Sequence, residues 1–214
     1  LNTKTNKIGY VAAMGLDNSE VTGGIDAFAL GIYSVNPDAK VYVKVTNSWY
    51  DPKGEEEAAK TLLNMNCDVI AQHCDTVYPQ TLAQEKGVYS IGYNSDMSKE
   101  APEACLCSVI WNWSAYYTSA VQSVIDGTWD GSNYYGGMNE NLVSITPVAD
   151  FAADTTQEKV NVAKQQILSG KNGVFDGVIE TNTGATVGTA GKTLDDAVIT
   201  GGINWYFKTV NVIE

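Results

Sequence analysis

The first two-thirds of the chain alternates short apolar runs with segments of helical period. The runs Lys7–Ala13 and Lys40–Val45 have the length and β-branched content of buried strands. Between them, Glu20–Val35 carries apolar residues at helical spacing, and Asn18 or Ser19 is placed to cap it. Strands joined by helices of this length form right-handed crossovers. The sequence therefore predicts an α/β fold with a doubly wound, mostly parallel sheet, a Rossmann-like lobe.

The remaining elements are predicted by the same period and capping rules. Further strands are predicted at Cys67–Ala71, Val88–Gly92, Leu106–Ile110 and Leu142–Thr146. Further helices are predicted at Gly54–Met65, Val77–Lys86, Trp113–Ile125 and from Thr155 or Thr156 to Leu168. Asp51 is expected to cap the helix that follows it. From Gly173 onward the pattern indicates only short strands and turns.

Polar and aromatic side chains occur where three of the predicted strands end. They lie in the motifs Val45–Pro52, Ala71–Asp75 and Gly92–Met97. In an open parallel sheet the carboxyl ends of the strands line the ligand crevice. We therefore expect these side chains to meet at one edge: Trp49, Asp51, His73, Asp75, Asn94 and Asp96. An aromatic face beside carboxylates and amides suits a flat heteroaromatic or polyhydroxylated small molecule, which favours a binding protein over an enzyme.

Charge and cysteine spacing disfavour several other classes of function. The chain has 25 acidic against 13 basic residues and a net charge of −12, which disfavours binding to nucleic acid. No apolar run is long enough for a membrane span. The cysteines, with His73 beside Cys74, match no zinc spacing, so no metal and no cofactor are predicted. Neither a phosphate-binding loop nor a nucleophile elbow is present in the sequence.

The ordered set of motifs resembles the basic membrane lipoprotein (BMP) family. These are substrate-binding lipoproteins of ABC import systems, in the type I periplasmic-binding-protein class. The residues that carry the resemblance are Lys7–Ala13, Glu20–Val21, Gly24–Phe28, Ser34–Val41, Asn47–Pro52, Asp68–His73 with Asp75, Gly87–Tyr89, Gly92–Met97, Trp111–Trp113, Tyr116–Tyr117, Asp126–Trp129 and Phe175–Gly177.

The resemblance covers the C-terminal two-thirds of such a protein. It implies that residues 1–112 form the βαβ core of the C-terminal lobe, and that residues 113–150 cross back toward an absent N-terminal lobe. Residues 151–214 would supply a return helix and terminal strands. On this interpretation the chain is a fragment lacking most of one lobe, and a homodimer would cover the face left bare. The parent protein would be extracytoplasmic and lipid-anchored at the outer face of the cell membrane. It would deliver its ligand to ABC permease subunits.

The resemblance also implies a purine nucleoside or nucleobase as the ligand. Trp49 matches the position where relatives stack an aromatic ring on the base; alternatively, it packs under a loop. Asp96 is placed to hold a ribose diol, or else it is a turn residue before Ser98. His73 and Asp75 are candidates for the purine edge, although His73 also fits a buried histidine with satisfied hydrogen bonds.

Weaker candidates for ligand contact are Asn94, Trp111, Asn112 and Asn18, all near predicted strand ends. No catalytic residue is predicted. The enzyme alternative is a nucleoside hydrolase in which Asp75 and Asp96 act as acid and base. A ligand-sensing domain of a regulator is a third class, because it shares this fold, and a sugar is the alternative ligand.

Overall fold

The computed structural model describes residues 3–214. Its strands are β1 (Lys7–Ala12), β2 (Lys40–Val45), β3 (Val69–His73), β4 (Tyr89–Asn94), β5 (Cys105–Trp111), β6 (Val143–Ile145), β7 (Asp176–Glu180), β8 (Thr186–Thr193) and β9 (Val210–Ile213). Its helices are α1 (Ser19–Val35), α2 (Pro52–Asn64), α3 (Tyr78–Glu85), α4 (Ser114–Ile125), α5 (Thr156–Leu168) and α6 (Asp196–Gly201).

Within residues 3–214, seven strands form one sheet in the order β6-β5-β4-β3-β1-β2-β9. All neighbouring pairs are parallel except β5 with β6. β7 and β8 form a separate antiparallel hairpin. The predicted doubly wound, mostly parallel α/β fold is confirmed. Successive strands are added outward in opposite directions from β1, so the strand order reverses between β1 and β3.

Helices cover both faces of the sheet because its central strands are apolar on both sides. On one face, Gly9 of β1 faces Ile70 of β3 and Leu62 of α2; a Cβ at Gly9 would lie 2.8 Å from Ile70 Cδ1. On the other face, α1 packs against Tyr10 and His73. The side chains between these layers form one buried apolar cluster: Val11, Val21, Ile25, Val41, Val43, Leu62 and Ile70.

The end of the chain returns to its beginning. β9 pairs in parallel with β2, and the preceding loop packs on α1. There the Phe207 backbone N–H donates to Asp26 Oδ1 at 2.7 Å, joining residues 181 positions apart. Asp26 is fully buried. The last residues therefore complete both an edge of the sheet and the packing of its first helix.

Like the short helix α6, the longer helices α4 and α5 contain no buried residue. β6, between them in the chain, still pairs with β5. Large apolar side chains are exposed on this part of the molecule, among them Val121, Val124 and Ile125 of α4. The division at residues 112 and 150 stays a prediction. None of the helices within residues 3–214 is long and apolar enough to cross a membrane.

Candidate functional site

The reversal of strand order between β1 and β3 brings His73 to the carboxyl edge of the sheet. His73 is the last residue of β3 and is in register with Ala12, the last residue of β1. In open α/β sheets, ligands bind outside the carboxyl ends of the strands where the order reverses. The residues around His73 therefore occupy the position at which a ligand site is expected in this fold.

Aromatic rings surround His73. The Tyr93 ring centroid lies 4.3 Å from the imidazole centroid, and the Trp49 ring approaches edge-on at 5.9 Å. The Tyr10 hydroxyl lies 3.2 Å from His73 Nδ1. Gly24 of α1 closes the remaining side, because a Cβ there would lie only 2.8 Å from His73 Cε1. These residues, Tyr10, Gly24, Trp49, His73 and Tyr93, are called the histidine box below.

Burial keeps the histidine box uncharged. His73 is only 6% exposed, and its burial lowers the pKa of the imidazole to about 4. Burial also raises the pKa of Tyr10 above its ordinary range and the pKa of Tyr93 to about 12. At neutral pH the site is therefore a neutral aromatic surface with polar edges. Such a surface suits a ligand bound by stacking and by hydrogen bonds between neutral groups.

Trp49 lies on a loop that is tied to the neighbouring strand. Asn47 has a φ of 56°, a left-handed conformation that asparagine tolerates and that reverses the chain after β2. The Asp75 backbone N–H donates to the Trp49 carbonyl at 2.9 Å, which joins this loop to the end of β3. Asp51 caps α2 by accepting from the Gly54 N–H at 3.1 Å, as predicted. Trp49 is thus held between a strand end and a capped helix.

A buried polar network supports these loops from the opposite face of the sheet. The Thr76 hydroxyl donates to the buried Glu55 carboxylate, whose other oxygen accepts from the Asp51 N–H at 3.1 Å. Gln72 Nε2 donates to the Thr76 carbonyl at 2.7 Å. Because buried polar groups are costly unless they are paired, this network fixes the loops that carry Trp49 and Asp75 relative to each other.

Comparison with known proteins identifies the family. The model of the PnrA-like substrate-binding proteins of ABC transporters, Bmp, matches residues 1–174. The chain belongs to this family. The family's members are solute-binding proteins rather than enzymes, and the resemblance seen in the sequence motifs is confirmed.

Two relatives of the chain are named after different ligands. A purine-binding protein of Brucella abortus is 35% identical over 209 residues, which are 98% of this chain and 59% of that protein. A putative ABC transporter glucose-binding protein of Haloferax volcanii is 35% identical over 175 residues, which are 82% of this chain and 44% of that protein. The chain thus spans less than two-thirds of the length of these PnrA-like relatives.

The fold also has a match among solved structures. A transcriptional activator of the comK gene from Bacillus halodurans superposes with a TM-score of 0.68 at 22% identity. The match covers 79% of this chain and 58% of the other. At this identity the likeness concerns the fold alone.

Asp75 and Asn94 lie at the rim of this PnrA-like site. Both side chains are exposed, and the Asn94 Nδ2 lies 3.5 Å from Asp75 Oδ1. Asn94 has a φ of 71°, so the chain turns sharply where β4 ends. Their polar groups are near the end of the strand that carries Tyr93. A contact of either residue with ligand stays a prediction.

The other predicted ligand residues have hydrogen bonds within the fold. Asp96 Oδ1 accepts from the Ser98 N–H at 3.0 Å, the turn arrangement that was the alternative interpretation. Asn18 Oδ1 accepts from the Val21 N–H at 3.1 Å and caps α1. Asn112 Nδ2 donates to the Asn141 carbonyl at 3.1 Å, and its Oδ1 accepts from Ser114. A ligand role for these three residues stays a prediction and would require their side chains to contact ligand as well.

Trp111 extends the aromatic surface away from the histidine box. Burial raises the pKa of the Tyr93 hydroxyl, and the Trp111 side chain opposes part of that rise. On its other side, Trp111 stacks on Trp113 with centroids 5.2 Å apart, and Trp113 stacks on Tyr117 at 5.9 Å. Trp113 is 47% exposed. The aromatic surface therefore runs from the end of β5 along the start of α4.

Tyr10, Tyr93, Gly24 and Glu55 were missed by sequence reasoning. Tyr10 lies two residues before the end of β1, on the same face of the strand as Ala12. A correct register of β1 against β3 would have placed its ring near His73. The roles of Gly24 and Glu55 depend on contacts between distant segments, which local sequence patterns do not report.

Proposed function

We propose that the chain is a ligand-binding lobe of a solute-binding component of an ABC importer, with a purine nucleoside or nucleobase as ligand. The observation that carries this proposal is the neutral histidine box at the point where the strand order reverses. Stacking on an aromatic side chain contributes about 1–3 kcal/mol per base and needs no charge. The name of the Brucella relative supports the same ligand class.

The charge distribution favours an unphosphorylated ligand. The chain contains no arginine, the residue best suited to bidentate recognition of phosphate. The rim instead carries the exposed acidic residues Glu20 and Asp75. Glu20 lies one helical turn before Gly24 in α1, and its charge raises the pKa of Tyr93. Carboxylates accept hydrogen bonds from the amino and hydroxyl groups of a nucleoside and repel a phosphate.

A sugar is the second candidate because of the Haloferax relative and the aromatic surface. Trp111, Trp113 and Tyr117 offer apolar faces on which a pyranose ring stacks as well as a base does. The hydrolase alternative is less well supported, since Asp96 accepts a hydrogen bond in a turn and Asp75 lies beside Asn94 at the rim.

As part of such an importer, the protein would act outside the cytoplasm, beside permease subunits. Its parent would be lipid-anchored at the outer face of the cell membrane. The exposed face of α4 and α5 would contact a second lobe, or a second copy of this chain in a homodimer. A lobe that closes over the histidine box would exclude water and strengthen its hydrogen bonds with ligand.

Replacement of Trp49 with alanine tests the ligand class. In a thermal-shift screen of nucleosides, nucleobases, pentoses and hexoses at up to about 10 mM, we expect a purine to raise the unfolding midpoint, since a ligand of the native state stabilises it. Trp49→Ala should weaken binding by about tenfold or more, the equivalent of losing one stacked base. Tyr50→Ala, a change at an exposed neighbouring aromatic residue, is the matched control. A shift with hexoses and none with purines would contradict the purine proposal.

A further inference from the structure

The hydrogen bond between Tyr10 and His73 can be made in two directions. Either the Tyr10 hydroxyl donates to His73 Nδ1, or a protonated Nδ1 donates to the hydroxyl oxygen. The two directions place the single proton of the neutral imidazole on different nitrogens. They therefore give the histidine box different hydrogen-bonding properties toward a ligand.

Burial of both groups distinguishes the two directions. Tyr10 is 5% exposed, and within residues 3–214 its hydroxyl has no hydrogen-bond partner other than His73 Nδ1. If Nδ1 carried the proton, the Tyr10 O–H would be a buried donor without an acceptor, which is unfavourable. If the hydroxyl donates, its proton is satisfied. Donation by the Tyr10 hydroxyl leaves Nδ1 unprotonated and puts the imidazole proton on Nε2.

His73 Nε2 is the nitrogen left for a ligand. In the described part of the chain it makes no hydrogen bond, although the residue is more than nine-tenths buried. Titratable groups on the elements around the ring are Tyr10 on β1, Tyr93 on β4 and Glu20 on α1, with Cys74 and Asp75 following His73 in the chain. The Cys74 thiol is directed to the Val11 carbonyl. Nothing in this set accepts the Nε2 proton.

We propose that Tyr10 is a positioning residue that holds His73 as its Nε2–H tautomer, so that the histidine box selects ligands with a hydrogen-bond acceptor in the plane of a stacked ring. The acceptor would be an unprotonated ring nitrogen or a carbonyl oxygen of a heteroaromatic compound. The ligand part rests on the proposed function. The tautomer does not depend on it.

Nitrogen NMR of the imidazole tests the tautomer directly. His73 is the only histidine of the chain, so a long-range proton–nitrogen spectrum of the labelled protein needs no assignment. At pH 7 we expect Nε2 to show the shift of a protonated nitrogen and Nδ1 that of an unprotonated one. The reverse pattern, or one averaged between the two tautomers, would overturn the proposal.

Tyr10→Phe provides the matched variant, because it removes the hydroxyl and keeps the ring that contacts Phe28. It should release the tautomer preference and move both nitrogen shifts toward an average. Tyr50→Phe removes an exposed hydroxyl and should leave the spectrum unchanged. A Tyr10→Phe spectrum identical to that of the wild type would contradict the positioning role. If this variant does not fold, the wild-type pattern still decides the tautomer.

Deaza analogues test the selection of an acceptor. In each analogue, one ring nitrogen of the purine is replaced by C–H, so one in-plane acceptor is lost. We expect one member of the 1-, 3- and 7-deaza series to bind about tenfold to hundredfold more weakly than the parent, as loss of a buried hydrogen bond predicts. Equal affinity across the series would overturn the ligand part. Absence of binding by every parent purine would instead contradict the proposed function, while the nitrogen spectrum decides the tautomer.

Discussion

The free energy of unfolding is expected to fall between pH 6.5 and pH 8, and replacing Asp26 with asparagine is expected to abolish most of that fall. Asp26 is fully buried on α1, and within the described residues its Oδ2 has no hydrogen-bond partner. Burial raises the pKa of this carboxyl from 3.8 to about 8, although the Phe207 N–H partly opposes the shift. The folded protein therefore holds a proton that the unfolded chain releases.

The sign of the effect follows from proton linkage. A raised pKa means that the contribution of Asp26 is fully present below about pH 4 and is lost as the pH rises through about 8. His73 acts in the opposite sense between about pH 4 and pH 6.5, because its pKa is lowered from 6.5 to about 4. The two effects offset each other in that window. Above pH 6.5 Asp26 acts without this compensation, and we expect a loss of about 2 kcal/mol by pH 8.

Urea unfolding at pH 6.5 and pH 8 measures this difference. The introduced amide would be uncharged at both values and could still accept from the Phe207 N–H, so Asp26→Asn should show little change between them. Asp38→Asn removes the same charge from an exposed turn and should behave like the wild type. If the free energy of unfolding of Asp26→Asn fell as much as that of the wild type between pH 6.5 and pH 8, a group other than Asp26 would cause the pH dependence.

Gly24→Ala is expected to disrupt the histidine box and to lower stability. The new Cβ would lie 2.8 Å from His73 Cε1 and 3.0 Å from Nδ1. His73 is held by Tyr10, Tyr93 and Trp49, so either α1 or the imidazole must shift. Overpacking costs about 1–3 kcal/mol, while replacing a helical glycine by alanine returns up to about 1 kcal/mol. We expect a net destabilisation of about 1–2 kcal/mol and a loss of ligand binding greater than that of Trp49→Ala.

Gly31→Ala separates the gain from replacing a helical glycine from the cost of packing a new Cβ against His73. Gly31 lies in the same helix, and a Cβ there would meet nothing within 4 Å. This variant should be more stable than the wild type by up to about 1 kcal/mol and should bind ligand normally. Urea unfolding and calorimetric titration with the best ligand of the screen compare the three proteins. If Gly24→Ala were as stable as Gly31→Ala and bound equally well, tight packing of His73 against α1 would be excluded.

Local patterns predicted the core of the fold well. The strand Lys40–Val45 has the predicted bounds because its β-branched residues end at a turn on both sides. The Asp51 cap was predictable because an aspartate before a proline matches the first turn of a helix. The parallel sheet followed from the alternation of such strands with helices long enough to cross over it.

The site was predicted less completely because it depends on register. β3 was predicted at Cys67–Ala71 but runs from Val69 to His73, since Gln72 and His73 are buried by distant partners. The predicted end placed His73 in a loop, so its pairing with Tyr10 was missed. α6 was also missed because six residues are too few to show a helical period. Contacts such as Asp26 with Phe207 join segments that no local pattern relates.

The pairing of β9 with β2 has a consequence during synthesis. β9, the strand that covers the outer edge of β2, is made only after residues 46–209 have followed β2 from the ribosome. At about 5–20 residues per second, that edge stays unpaired for roughly 10–30 seconds. Unpaired strand edges recruit other chains. During that interval the nascent protein is prone to aggregate through β2, and a chaperone that binds extended apolar segments would protect it until β9 is made.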